Sequence, residues 1–409
     1  MKEKRNVVLI VWHDLGRHLG CYGVKRDISP NVDRMAREGI LYRQHFSVGS
    51  VCVPSRCGIL TGKYPTESRL WQCLDSDAAL PMLFRRAGYR TARFGFREEE
   101  EFFPVHPNPG LPLFARTVLG YDNSLGDGEK DSGWIAGSVC RFLNENRENR
   151  FFLNIEFPEV HSPYEMAFSL TDVQNVTLPQ QLPFLLDTFE ARCLTAGLEQ
   201  KIRRADKAVG EILKCLKENN LAEDTLVVFT TDHGIDFPRA KMTLYDPGIE
   251  AALVFWGANC PAGRTDNDLH SHVDLLPTLL EYAGLEIPAG IQGKSFWKPA
   301  GSAKRYKRDC IFAQRAWETT DKKADAVRTK RYKCIFHHNA GQTLPLPPGY
   351  MEVVGSRVFS DEIQTVLPAV ELYDLQSDPY ELHNLAGAKG YGEVLREMER
   401  IRKQELGNE

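Results

Sequence analysis

Residues 6–16 read Asn6-Val-Val-Leu-Ile-Val-Trp12 and then His13-Asp14-Leu15-Gly16. A continuous apolar, β-branched run of this kind offers no polar face to water, so it reads as a strand buried on both faces of a parallel sheet. It stops at two side chains able to ligate a metal. The same pattern recurs twice. Thr225-Leu-Val-Val-Phe-Thr-Thr231 ends at Asp232-His233-Gly234, and Phe151–Phe157 runs into Glu159-Val-His161-Ser-Pro163. Ligands of open α/β sheets bind at the carboxyl ends of strands, which makes these three strand ends candidates for one site.

Helical patterns separate the strands. Ser29-Pro30 opens one through Met35 to Gly39, with the serine placed as N-cap and the proline at the first helical position. Others cover Leu80–Ala87 (closed by Gly88), 134–147, roughly 187–218 and Val273–Tyr282, and further strands are predicted at Arg90–Phe94 and Ala251–Phe255. This alternation predicts an α/β fold: a large mixed, mostly parallel sheet sandwiched by helices. Past residue 300 the pattern becomes short strands at 310–315, 325–329, 332–337 and 371–374, then an amphipathic helix at 391–404. That predicts a smaller antiparallel α+β subdomain, with a division into 1–300 and 301–409. Residues 97–133, with glutamates at 98–101 and prolines at 104, 107, 109 and 112, read as a long functional loop, and 339–370 as a second loop.

Composition narrows the function. A chain of 409 residues can bury a large core, and its net charge of −4 argues against a nucleic-acid partner, whose binding domain would be basic. No apolar run of about 18 residues is present, so no membrane span is expected. Lys2–Arg5 lead straight into the first strand, without the apolar stretch and small-residue cleavage site of a signal peptide. The expected location is cytoplasmic, with a periplasmic or secreted one only if a leader has been removed. The ten cysteines, at 21, 52, 57, 73, 140, 193, 215, 260, 310 and 334, contain no CxxC pair and read as reduced, mostly buried thiols. Asn175-Val-Thr177 fits the glycosylation pattern but carries no meaning without secretion.

The chemistry is concentrated in Val51-Cys52-Val-Pro54-Ser55-Arg56-Cys57-Gly-Ile-Leu60-Thr61-Gly62. Pro54 suits the first turn of a helix, where a missing N–H costs nothing. Cys52 then lies at the helix N-terminus, where unpaired N–H groups and the dipole favour an anion or an activated nucleophile. Arg56, one turn on, adds a permanent cation. This stretch resembles the signature of the type I sulfatases, Cys-x-Pro-Ser-Arg-x-x-x-Leu-Thr-Gly, with every fixed position filled. The resemblance extends over most of the chain, through Asp274-Leu-Leu-Pro-Thr278, Leu372-Tyr-Asp-Leu375 and Asn384-Leu385. Residues 234–248 look most like heparan N-sulfatases (N-sulfoglucosamine sulfohydrolases).

The resemblance implies an alkaline phosphatase-like fold and oxidation of Cys52 to formylglycine by a maturation enzyme. A sulfated mono- or oligosaccharide is the implied substrate. His13, Asp14, Asp232 and His233, with the oxygen of modified Cys52, are the expected ligands of one divalent metal. The family implies calcium, and the imidazoles bring manganese or zinc into range. His161 matches the family histidine that contacts sulfate and the leaving group, and Lys241 matches a basic residue that binds sulfate oxygens. The catalytic set expected is therefore Cys52, Arg56, His161 and Lys241. Two departures stand out: His13 replaces the first of two aspartates, and no Gly-Lys-x-His follows Gly88-Tyr-Arg-Thr91, where Gly95-Phe96-Arg97-Glu98 stands instead. Arg97 and His106 are the nearest substitutes in sequence. The alternatives are a phosphonate monoester or phosphodiester hydrolase of the same superfamily, and a non-catalytic protein that binds sulfated sugar.

Overall fold

The computed structural model describes residues 5–65, 78–95, 120–125, 131–164, 178–180, 182–185, 187–298, 306–315, 323–339, 341, 343–347 and 366–406. In chain order these include strands β1 (Asn6–Trp12), β2 (Ile40–Phe46), β3 (Arg90–Gly95), β4 (Asn123–Leu125), β5 (Phe151–Phe157), β6 (Thr225–Thr231), β7 (Leu253–Gly257) and β8 (Arg264–Ser271). They form one sheet in the order β4-β3-β5-β1-β6-β7-β2-β8. Every pairing is parallel except the two made by β7, which runs against both β6 and β2.

Strand β1 lies at the centre and is buried throughout. Its side chains alternate between two cores, as the pleat requires. Val8, Ile10 and Trp12 face helices α1 (Pro30–Glu38), α4 (Ser132–Glu145) and α5 (Phe189–Glu218). Val7, Leu9 and Val11 face α2 (Cys52–Thr61), α3 (Leu80–Arg86) and α7 (Leu275–Ala283). A strand covered on both sides reads as a continuous apolar run, which is what Val7–Trp12 of β1 displays.

A second sheet, fully antiparallel, joins β9 (Cys310–Arg315), β10 (Ala324–Thr329), β11 (Tyr332–His337) and β12 (Val370–Asp374) in the order β12-β11-β10-β9. Helix α8 (Gly392–Leu406) packs Leu395, Met398 and Ile401 against it. The other face shares a core with the large sheet: Phe46, Leu244, Ile249 and Leu269 pack with Ile311, Ala326 and Ile335. A buried ionic group adds to this contact. Asp246, on the short helix α6 (Asp246–Ile249), receives Lys333 Nζ at 2.9 Å and Arg328 Nη2 at 2.9 Å, and Lys333 also meets Glu381 Oε1 at 2.9 Å.

The mixed, mostly parallel sheet with helices on both faces and the smaller antiparallel sheet are as the sequence pattern predicts. Three strands depart from it. β2 and β8 have no counterpart in the sequence reading, and β4 falls inside the stretch read as loop; α4 also begins two residues earlier than expected, at Ser132. Ser29 occupies the N-cap position of α1, but its hydroxyl accepts from the Gly20 amide and donates to Asp33 rather than capping the helix. Arg97, His106, Cys73, Asn175–Thr177 and most of 339–370 lie outside the described residues. The nine described cysteines are free thiols, and no described helix is long and apolar enough to cross a membrane.

Candidate active site

The site is assembled where β1 and β6 end side by side. Their parallel register continues past the strands: the Asp232 amide donates to the Trp12 carbonyl at 2.9 Å, and the Gly16 amide to the His233 carbonyl at 2.8 Å. Asp14 turns into the site with φ of +47°, a left-handed conformation that aspartate tolerates better than most residues. Its amide, at 2.9 Å, and that of His233, at 2.8 Å, both donate to Asp232 Oδ1. The two strand-end pairs are thus held to one another through their own backbones.

Helix α2 brings Cys52 to the same point. Val51 is its N-cap, Cys52 and Pro54 lie in its first turn, and Gly62 closes it with φ of +66° and an amide bond to the Gly58 carbonyl. Ser55 fixes the helix to the strands: its hydroxyl bonds the Asp232 carbonyl and lies 3.1 Å from His272 Nδ1. Cys52 Sγ then stands 3.4 Å from His233 Nε2 and 4.0 Å from Asp14 Oδ1.

Asp14, Cys52, Asp232 and His233 each offer a ligand atom, and these four lie within 4.8 Å of one another, all buried. The donor set tests whether a cation fits. His233 Nδ1 is 2.9 Å from the Gly234 carbonyl, which can only accept, so Nδ1 carries the proton and the Nε2 lone pair faces Asp14 Oδ1 at 3.1 Å. Carboxylate oxygen, imidazole lone pair and cysteine sulfur face each other in a buried space. A divalent cation satisfies that arrangement.

His13 stands outside this set. Its ring is turned onto Arg56, with Nδ1 2.6 Å from Nη2, and it lies 3.7 Å from Asp232 Oδ2. Burial, aided by the Arg56 charge, pushes its pKa well down, so the neutral ring accepts from the guanidinium. Arg56 itself is only 1% exposed and faces Asp232 Oδ2 at 3.3 Å and Glu156 Oε2 at 3.4 Å. Lys241 comes from the turn after β6, where its amide donates to the Ile235 carbonyl, and its ammonium lies 2.7 Å from Asp14 Oδ2. Burial opposes the charge on both partners of this pair. Their attraction outweighs it, pulling Asp14 down to about 2 and Lys241 well above the ordinary lysine value. His161 Nε2 is 3.5 Å from Asp14 Oδ2, with the ring 34% exposed and Nδ1 bonded to the Ser162 carbonyl at 2.6 Å. His161 is therefore the rim of the site, and Lys241 and Arg56 its walls.

Residues 5–285 match the family model described as Sulfatase. This chain belongs to the sulfatase family. Residues 237–346 also match the model described as N-sulphoglucosamine sulphohydrolase, C-terminal. Among relatives, human N-sulphoglucosamine sulphohydrolase is 25% identical across 96% of this sulfatase and 88% of its own length. An ulvan-active sulfatase of Formosa agariphila is 27% identical over 97% and 74%. Solved structures with the same fold include a sulfatase described as putative from Bacteroides thetaiotaomicron (TM-score 0.73, 18% identity, 98% of this chain and 92% of that one). Phosphonate monoester hydrolase from Silicibacter pomeroyi is another (TM-score 0.71, 18%, 99% and 96%). Members of the family are sulfuric ester hydrolases that use a metal and formylglycine, and this sulfatase carries the cysteine and a cluster fit for the metal.

Two further residues at the site of this sulfatase went unread in its sequence. Glu156 reaches Arg56 from β5, and His272, together with Ser55 of the signature, locks α2 to the ends of β6 and β8. Only Glu156 left a signal. Phe-Phe-Leu-Asn-Ile-Glu-Phe, residues 151–157, is a buried strand with two polar residues, and such residues need partners in the interior.

Proposed function

We propose that this sulfatase removes a sulfuryl group from a sulfated sugar, a heparan-type glucosamine, with the N-sulfate favoured over an O-sulfate. The observation that carries this reading is the match of residues 237–346 to the N-sulphoglucosamine sulphohydrolase C-terminal model, a stretch that contains Lys241. The likeness to the human enzyme of that name along nearly the whole chain supports it.

Cys52 is assigned to the formylglycine position, and once oxidised it would supply a hydrated aldehyde as the nucleophile toward sulfur. A divalent cation held by Asp14, Asp232, His233 and the residue-52 side chain would supply Lewis-acid stabilisation; calcium is the family expectation, and the His233 nitrogen brings manganese and zinc into range. The chain's own groups do the remainder. The permanent charge of Arg56, behind Asp232, favours an anion at the α2 N-terminus. Lys241 places an ammonium beside Asp14, where sulfuryl oxygens would gather. His161, at the rim with Nδ1 tied to a carbonyl, can hold a proton on Nε2 and pass it to the departing amine or alcohol.

The test is sulfate release from N-sulfoglucosamine and from glucosamine 6-sulfate, using protein co-expressed with a formylglycine-generating enzyme and Cys52→Ala as control. Release from the N-sulfated sugar, abolished by the substitution, is expected. Release from the 6-sulfate alone retains a sulfatase and discards the sulfamidase. A second reading, phosphonate monoester or phosphodiester hydrolysis, is favoured by His233 in the ligand cluster and by the shared fold of the Silicibacter enzyme. Faster turnover of a phosphodiester than of any sulfate would establish it.

A further inference from the structure

The arginine proposed for catalysis is buried, and two carboxylates face it, only one of them from the ligand cluster. Arg56 meets Asp232 Oδ2 at 3.3 Å, yet Asp232 also belongs to the set of four ligand atoms. At position 13, where the family pattern has the first of its two strand-end aspartates, this chain has a histidine that supplies no negative charge. A carboxylate nevertheless reaches the guanidinium from the other side. Glu156 Oε2 lies 3.4 Å from Arg56 Nε and 3.9 Å from His13 Nε2. Residue 156 pairs in register with Val11 of β1 and Gly95 of β3, so its backbone is fixed between two neighbouring strands.

Glu156 is 1% exposed, and a buried carboxylate is costly unless charge and hydrogen bonds surround it. Its other oxygen accepts from Asn154 Nδ2 at 2.8 Å and faces Arg93 Nε at 4.0 Å. Arg93 is itself fully buried in β3, and Asn154 also donates to the Tyr121 hydroxyl at 3.0 Å. Two interior arginines thus face one carboxylate at the floor of the site.

We propose that Glu156, held by Arg93 and Asn154, is a positioning residue that fixes the Arg56 guanidinium beside His13 and so leaves Asp232 available to the cation. Without it Asp232, a member of the ligand cluster, would carry more of the guanidinium's charge and be less available to the metal. Groups one step behind metal ligands commonly change affinity or rate by about 10–100-fold when altered, and Glu156, one step further back through Arg56, is placed at the lower end of that range. The inference rests on the metal-dependent sulfatase reading, but one of its measurements does not need turnover.

The experiment compares wild type, Glu156→Gln, Glu156→Asp and the double variant Glu156→Gln/Arg93→Gln. Calorimetric titration with calcium and with manganese is followed by steady-state kinetics on a sulfated sugar. Thermal melts confirm that each variant is folded. Glu156→Gln is expected to weaken cation binding about tenfold and to lower kcat at least tenfold with KM within about twofold. Glu156→Asp, which keeps the charge on a shorter stem, should recover part of both. The double variant restores the net charge and not the geometry, so it should stay as weak as the single one. Recovery of wild-type cation binding in the double variant would overturn the proposal in favour of a plain charge effect. So would a folded Glu156→Gln protein with unchanged binding and kcat, or a wild type that binds neither cation. A wild type that binds cation and is weakened by Glu156→Gln, yet releases sulfate from no sugar, leaves the positioning role standing and removes the substrate reading instead.

Discussion

Lys241 lies between two acids, 2.7 Å from Asp14 and 3.6 Å from Asp236, and its ammonium faces the ligand cluster. Replacing it by methionine keeps the buried stem and removes the charge that holds the Asp14 carboxyl near 2. We expect kcat/KM to fall about 10²–10³-fold, the scale for losing one donor to developing charge. Asp14 would also become easier to protonate, so the loss of cation binding on acidification should begin at higher pH than in wild type, as titration calorimetry at pH 5 and pH 7.5 would reveal. His161 is expected to behave differently, because a proton donor matters in proportion to how poor the leaving group is. His161→Gln should slow hydrolysis of a sugar sulfate at least 50-fold while changing an activated aryl sulfate less than fivefold. Equal losses on both substrates would remove it from the role of acid. His161 was legible because it follows closely on a buried strand, whereas Lys241, nine residues after Asp232, was legible only through the family resemblance. Glu156 was not legible as a partner of Arg56, because the two residues are 100 positions apart and meet only through the order of the strands.

Elements were legible where burial is complete and opaque where it is partial. β1, β5 and β6 are buried at every position and mostly apolar, and their bounds follow from the sequence to within a residue. β8, Arg-Thr-Asp-Asn-Asp-Leu-His-Ser, has one aliphatic residue; it is an edge strand whose pairing is with β2, and its Asp266 is held by His270 at 3.1 Å and Lys298 at 3.7 Å rather than by apolar contact. Nor does any propensity reveal that β7 runs antiparallel, since direction depends on where the preceding loop delivers the chain. That loop is tightly built. A methyl group on Gly234 would come within 1.8 Å of the Pro247 carbonyl oxygen, where the Gly234 amide already bonds Gly248. Gly234→Ala should therefore push His233 out of the cluster. We expect a destabilisation of about 3 kcal/mol and a loss of cation binding, measured by urea unfolding and calorimetry.

At the scale of the whole molecule, two buried histidines set an acid limit. Burial lowers His45 well below its ordinary value and, with the nearby His233 ring, takes His272 to about 3; the rings of His45 and His272 are 4.8 Å apart. Unfolded, each binds a proton below about pH 6.5, and folded it does not, so stability declines as pH falls from 6.5 towards the folded value, by up to about 1.4 kcal/mol per pH unit for each. His45→Phe should flatten the dependence of the urea midpoint between pH 5 and pH 7. Lys333 sets a limit of another kind. Lys333→Met would leave Glu381 without its cation in the interior and Asp246 with Arg328 alone, and we expect a loss of about 3–5 kcal/mol with unfolding still in one step, since the two sheets share a core. The chain from Asp232 to Asp246 is pinned at one end by β6 and at the other by side chains of β10 and β11, with Lys241 strung between. Lineages that recombine or domain-swapping engineers who graft a foreign small sheet onto this catalytic half therefore inherit a pairing rule. The graft must bring its own cations for Asp246, or the string that tunes the active site goes slack.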